Sequence, residues 1–150
     1  DDFSAGFRMP DTIFVQPPGK PLCRLVELVQ RPAHTLLLLA GEGAQGSELA
    51  ELNAALQTFA GNSPLFETLF TFATQSNLSA NIGRLDRVEA DLLGVKAITL
   101  LAVRPDGYVG LRSDRNHVRA LKRYQTRILE GNGETGFVAG NSTLSGISES

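Results

Sequence analysis

The sequence has no tryptophan, one cysteine, one methionine and two histidines among its 150 residues. A lone Cys23 cannot form an internal disulfide or a CxxC pair, and this usage fits a reducing compartment. His34 and His117 have no second histidine or cysteine at ligand spacing, so no metal site is expected. They also single out no Ser/His/Asp set, since many serines make chance pairings inevitable. No charge of one sign dominates. The 14 basic and 16 acidic side chains leave a formal charge of −2, which gives no bulk argument for nucleic acid or an anionic membrane. The longest apolar run, "TLLLLA" at 35–40, is far too short to span a bilayer, and nothing near residue 1 resembles a secretion signal. A cytoplasmic protein is the expectation. A start at Asp1 rather than Met is what a piece of a longer protein would show.

What is present points to a packed domain. Hydrophobic residues make up 42% of a chain long enough for one ordinary core. Thr12–Val15 reads as a short strand, followed by the turn cluster "QPPGKP", which can continue neither strand nor helix. The apolar spacing from Leu22 to Val29 predicts a short helix stopped by Pro32. "HTLLLLA" lacks alternation, as expected of a strand covered on both faces. Leu49, Leu52, Leu56 and Phe59 recur at helical spacing behind a Ser47 cap, and "LFETLFTFAT" predicts the next strand. Residues 75–84 read as an Asn/Ser-rich loop, and "RLDRVEADLLG" as a short helix closed by Gly94. "AITLLAVRPDGYVGLRS" predicts a hairpin turning at Pro105-Asp106-Gly107. "DRNHVRALKRYQTRIL" predicts a last helix capped by Asp114. Residues 1–130 therefore read as one domain, and 131–150 as a Gly/Ser-rich flexible tail. The order βαβ, short helix, hairpin and closing helix is an α/β, thioredoxin-like plan: a mixed central sheet with helices on both faces, lacking the redox CxxC.

Gly41, Gly43 and Gly46 follow a strand and precede a helix in G-x-G-x-x-G spacing, the outline of a dinucleotide turn. Such a turn needs an acid at the far end of the next strand, roughly 20 residues on. The next strand has only Glu67, near its beginning, and the later hairpin breaks the pattern of parallel βα units. The spacing therefore reads as a loop between strand and helix. In thioredoxin-like redox proteins the reactive cysteine sits at this corner, where a helix N-terminus lowers its pKa. Here 41–47 is "GEGAQGS", without a thiol, and Ala97-Ile98-Thr99 replaces the usual cis-proline. Cys23, at the start of the first predicted helix, reads as a small buried hydrophobe. A helix N-terminus could nevertheless depress its pKa, leaving a reactive thiol as the enzyme alternative.

"GFRMPDTIFV", "TLLLLAG" and above all "LLAVRPDGYVGLRSD" resemble the C-terminal domain of FAD-dependent aromatic-ring hydroxylases of the phenol hydroxylase and pentachlorophenol monooxygenase type. The family pattern G-x-R-x-P falls on Gly6, Arg8 and Pro10, and V-R-P-D-G-Y-V on Val103 to Val109. The similarity covers roughly residues 4–129. It implies a non-catalytic thioredoxin-like domain with a structural, docking or dimerisation role, attached to an upstream flavin-binding catalytic domain. FAD and NAD(P)H would then be cofactors of that parent enzyme, which would hydroxylate phenolic or polyketide aromatics. No catalytic, cofactor-binding or metal-binding residue is assigned to this chain. The alternative is a stand-alone, redox-inactive binding module.

Surface residues complete the expectations. Arg8, Arg104, Asp106, Tyr108 and Arg112 are the candidates for contact with the flavin domain, or with a second subunit in a homodimer, because exposed Arg and Tyr favour interfaces. Their plain reading is turn stability and charge protection of a sheet edge. Arg115, Arg119, Lys122, Arg123 and Arg127 lie on the last predicted helix with no acid between 115 and 129. Without interleaved aromatics they offer no base-stacking platform, and they read as a solvated or domain-contacting face. His34 is expected to be a hydrogen-bonded edge residue and His117 to face solvent. Asp86, Glu89 and Asp91 are expected to be solvated helix acids.

Overall fold

The computed structural model describes residues 6–75 and 81–134. Seven strands form one mixed sheet. They are β1 (Phe14–Gln16), β2 (Cys23–Arg24), β3 (His34–Ala40), β4 (Phe66–Ala73), β5 (Gly83–Leu85), β6 (Ile98–Val103) and β7 (Val109–Ser113). The helices are α1 (Leu25–Val29), α2 (Gly46–Gly61), α3 (Arg87–Leu92) and α4 (His117–Glu134). The strand order is β2-β1-β5-β4-β3-β6-β7, with β3 parallel to β4 and antiparallel to β6.

The apolar run of β3 dictates its central place. Thr35 through Ala40 are all buried, so both faces need cover. Leu37 and Leu39 join Leu25 and Val29 of α1, Ala90 of α3, and Phe72, Leu101 and Val103 in one core. On the opposite face α2 packs against β4, where the Thr71 hydroxyl donates to Asn53 Oδ1 at 2.6 Å. Each fully buried leucine contributes roughly 1.5–3 kcal/mol. Thr35 is the polar exception. Its hydroxyl is buried with no hydrogen-bond partner among the described residues. Thr35→Val keeps the shape and removes that cost, so the unfolding free energy should rise by about 1 kcal/mol, read as a higher urea midpoint at unchanged slope. A lower midpoint would mean the hydroxyl is satisfied in solution.

Several expectations shift. β5 straddles the end of the stretch read as loop, of which residues 76–80 are outside the described set, and the start of the predicted helix "RLDRVEADLLG", so α3 begins only at Arg87. Three residues carry no period of their own, and pairing with β1 and β4 makes them a strand. Likewise Cys23 lies in β2, paired with Val15, and α1 begins two residues later with Arg24 as its N-cap, so the thiol is on a strand and not at the start of the helix. Ser47 does not cap α2; Gln45 is the N-cap residue. Asp114 does not cap α4 either. Its carboxylate accepts from Thr99 at 2.6 Å and from Arg112, and the left-handed Asn116 at φ 54° turns the chain into a helix starting at His117. α4 continues through 131–134, and the remaining tail, 135–150, lies outside the described residues. Glu89 is not merely solvated, because its carboxylate accepts the Phe14 amide at 2.7 Å. The chain divides into two compact units, Asp1–Val118 and Arg119–Ser150.

Candidate functional site

The expected hairpin forms at β6–β7, and its chemistry is local. The Gly107 amide donates to Arg104 O at 2.9 Å and the Arg104 amide to Tyr108 O at 2.8 Å. Gly107 takes φ 89°, the left-handed position that follows the proline-led turn. Asp106 sits within it as an ion-pair partner of Arg104, while its other carboxylate oxygen accepts the Tyr108 amide at 3.0 Å. The Tyr108 amide first, and the Arg104 guanidinium after it, hold the Asp106 carboxyl below the usual carboxylate range against the opposing effect of desolvation.

A second segment completes this tip from the far end of the sequence. The Gly6 amide donates to Val109 O at 2.7 Å, Val109 to Phe7 O at 2.8 Å, and Met9 to Gly107 O at 2.9 Å. Residues 6–9 thus strap the outer edge of β7, with Arg8 opposite Tyr108 and the Met9 side chain in the core. The stretches "GFRMP" and "RPDGYV" are therefore hydrogen-bonded to each other. The guanidiniums of Arg8 and Arg104 stand 5.7 and 5.8 Å from the Tyr108 ring centroid, both within cation–π range. Tyr108 is 38% exposed and neighbouring Phe7 54% exposed, so this end of the sheet shows aromatic and guanidinium surface together. Phe7 was absent from the expected contact residues. Its only signal was its place inside "GFRMP".

Arg112 is not part of this cluster. Its side chain is 8% exposed, and it donates to the carbonyls of Leu93 and Gly94, each at 2.8 Å, and to Asp114 Oδ2 at 3.2 Å. It clamps the end of α3 to β7. His117 is likewise not solvent-facing. It is buried, and its Nε2–H donates to Ile98 O at 2.9 Å. His34 opens a strand inside the sheet rather than at its edge, and its ring meets Phe66 edge-on at 5.7 Å. Burial, with Arg104 adding to it, lowers the His34 pKa.

The corner after β3 has a different occupant from the one the glycine spacing suggests. The Gly41 amide donates to Ala97 O at 2.7 Å and the Gly43 amide to Lys96 O at 2.8 Å. A Cβ on Gly41 would stand 2.6 Å from Val95 O and 2.7 Å from Lys96 O. The glycines let the 95–97 backbone approach, and the Gly41 and Gly43 amides are bonded to it rather than open to a ligand. Glu42 at this corner pairs with Arg87 at 3.3 Å. Shallow pockets of about 250 and 240 Å³ lie on either side of Lys96. The one thiol is elsewhere, half-buried against the core, and burial with Glu27 beside it pushes its pKa up, away from reactivity. Among the described residues no three metal-ligating side chains converge, and no helix is long and apolar enough to cross a membrane.

The sheet, the helices and the thiol-free corner define the class: a thioredoxin-like domain with a single cysteine and hence no CxxC pair. No protein-family model and no curated protein matches the chain. Among solved structures, thiol peroxidase from Chromobacterium violaceum superposes with a TM-score of 0.60 at 11% identity, over 86% of this chain and 90% of that one. A thiol:disulfide interchange protein from Bacteroides sp. gives 0.56 at 15% identity, over 87% and 92%. The flavin-dependent monooxygenase PieE, solved with FAD and substrate, gives 0.50 at 22% identity over 83% of this chain. The chain spans about a fifth, 20%, of that monooxygenase.

Proposed function

We propose that this chain is the non-catalytic, thioredoxin-like C-terminal domain of an FAD- and NAD(P)H-dependent aromatic hydroxylase, with a structural and docking role. The observation that carries this reading is the backbone pairing of "GFRMP" with "RPDGYV", which makes one surface of the two stretches that resemble that family. The likeness to one fifth of a flavin-dependent monooxygenase supports it. The Gly41 and Gly43 amides already bond the 95–97 backbone, and the strand after α2 has no acid at its far end for a ribose, which together argue against a dinucleotide at this corner. FAD and NAD(P)H would be held by the adjoining domain. Arg8, Arg104, Tyr108 and Phe7 would face that domain or a second subunit, the Arg and Tyr types that dominate interface energies.

The first test is the reading frame upstream of Asp1, where a flavin-binding domain is expected; a frame without one would sink the parentage and leave a stand-alone module. The second uses the full-length product. Arg8→Ala with Tyr108→Ala removes exposed cation–π contacts worth about 1 kcal/mol, so the isolated chain should melt only a few degrees lower. In the full-length protein the same pair should lower the flavin-release temperature clearly further. Equal shifts in the two would mean that the tip stabilises its own hairpin and docks nothing.

A further inference from the structure

Charge is spread unevenly along this chain. Five of its 14 basic residues fall within 115–127, where there is no acid, so the other positions hold 9 basic and 16 acidic residues, a balance of −7. Arg115 precedes α4, but Arg119, Lys122, Arg123 and Arg127 all lie on it and all are exposed. Their spacing of i, i+3, i+4 and i+8 puts them on one side of the helix, about 12 Å long. Leu129, 40% exposed, recurs seven residues after Lys122 and so falls on the same side. None of the four cations makes an ion pair with a described residue.

The other long helix has the opposite character. α2 contains two acids and no basic residue. Glu48 and Glu51 are exposed, as are Ala54, Ala55 and Thr58, and the five share one side at helical spacing. Neither glutamate has an ion pair among the described residues. Apart from the two glutamates that side carries only small side chains, so another helix could approach closely beside them.

We propose that this chain self-associates, with the basic side of α4 in one copy docked on the acid-and-alanine side of α2 in a second copy. Charge complementarity selects the occupant. The cations meet two glutamates that have no ion-pair partner among the described residues, and Leu129 finds an apolar floor of Ala54 and Ala55. The absence of aromatics interleaved with the cations leaves a nucleic acid no stacking surface. The contact is rim-like and solvated, so it weakens with salt.

Sedimentation velocity of the whole chain tests this. At about 20 mM salt a species larger than one chain is expected, and its apparent dissociation constant should rise more than about tenfold by about 500 mM salt. Arg119→Glu with Arg123→Glu should give a monomer at low salt, as should Glu48→Lys with Glu51→Lys. Mixing the two charge-reversed chains should restore the complex, which also shows that both remain folded. The proposal is overturned by a monomer at low salt, by a complex indifferent to salt, or by no complex in the mixture when both variants keep the wild-type melting curve. Retention on heparin without self-association would assign the basic side of α4 to a polyanion and also overturn it. The expected outcome is independent of any flavin domain.

Discussion

Replacing Gly41 by alanine is expected to lower the unfolding free energy by about 3 kcal/mol, measured by urea denaturation. The added methyl would meet Val95 O at 2.6 Å and Lys96 O at 2.7 Å. Both are main-chain atoms and cannot rotate away as the end of a side chain could. Relief requires the 41–43 and 95–97 segments to part, which lengthens the bonds from Gly41 to Ala97 and from Gly43 to Lys96. Gly61 provides the control, because a Cβ there meets nothing within 4 Å and the residue ends α2. Gly61→Ala should be neutral or stabilising by up to about 1 kcal/mol. A Gly41→Ala loss below about 1 kcal/mol would show that the corner yields and that close backbone approach is not why glycine is there.

Arg112→Met should be comparably damaging, with a loss of about 3 kcal/mol near neutral pH. The methionine fills much of the volume but leaves the Leu93 and Gly94 carbonyls without the donors that now lie 2.8 Å from each. It also removes the cation beside Asp114. Arg112→Lys should recover only part of the loss, since one ammonium cannot reproduce a fork that reaches two carbonyls and a carboxylate. Acid titration separates the two contributions. Burial raises the Asp114 carboxyl, but hydrogen bonds from Arg112 and Thr99, with the charges of Arg112 and His117, outweigh it and hold the pKa below the ordinary value. A carboxyl depressed in the folded state stabilises the fold above its unfolded pKa, about 3.9. That stabilisation drains as pH falls through the lower folded value. Wild-type stability should therefore slope down below about pH 4, and the slope should flatten in Arg112→Met. Matching slopes would remove Asp114 from the clamp.

The candidate tip was legible only in pieces. Pro105, Asp106 and Gly107 announced the turn because their backbone preferences act within four residues, and the observed Gly107 φ of 89° is the consequence. That Arg8 would lie across Tyr108, a hundred positions later in the chain (108 − 8), had no local signal apart from the family pattern. Arg112 carried the same signature as Arg104, a cation beside a hairpin. One packs near an exposed ring and the other reaches buried carbonyls, a difference that depends on where α3 ends.

Sequence alone determined the elements whose cause is local. β3 follows from an unbroken apolar run, the hairpin from proline and glycine at fixed offsets, and α3's end from Gly94, seen at φ 71°. The missing thiol pair is also a matter of sequence, since one cysteine cannot make two. Tertiary structure decided the rest. β2 and β5 are strands because β1 pairs with both, and His117 can be buried because Ile98 O accepts a hydrogen bond from its Nε2–H. The glycine triplet belongs to a backbone contact because 95–97 arrives there. In each case the partner is distant along the chain, and short-range preferences cannot encode a contact whose free energy exists only after the sheet has brought the two segments together.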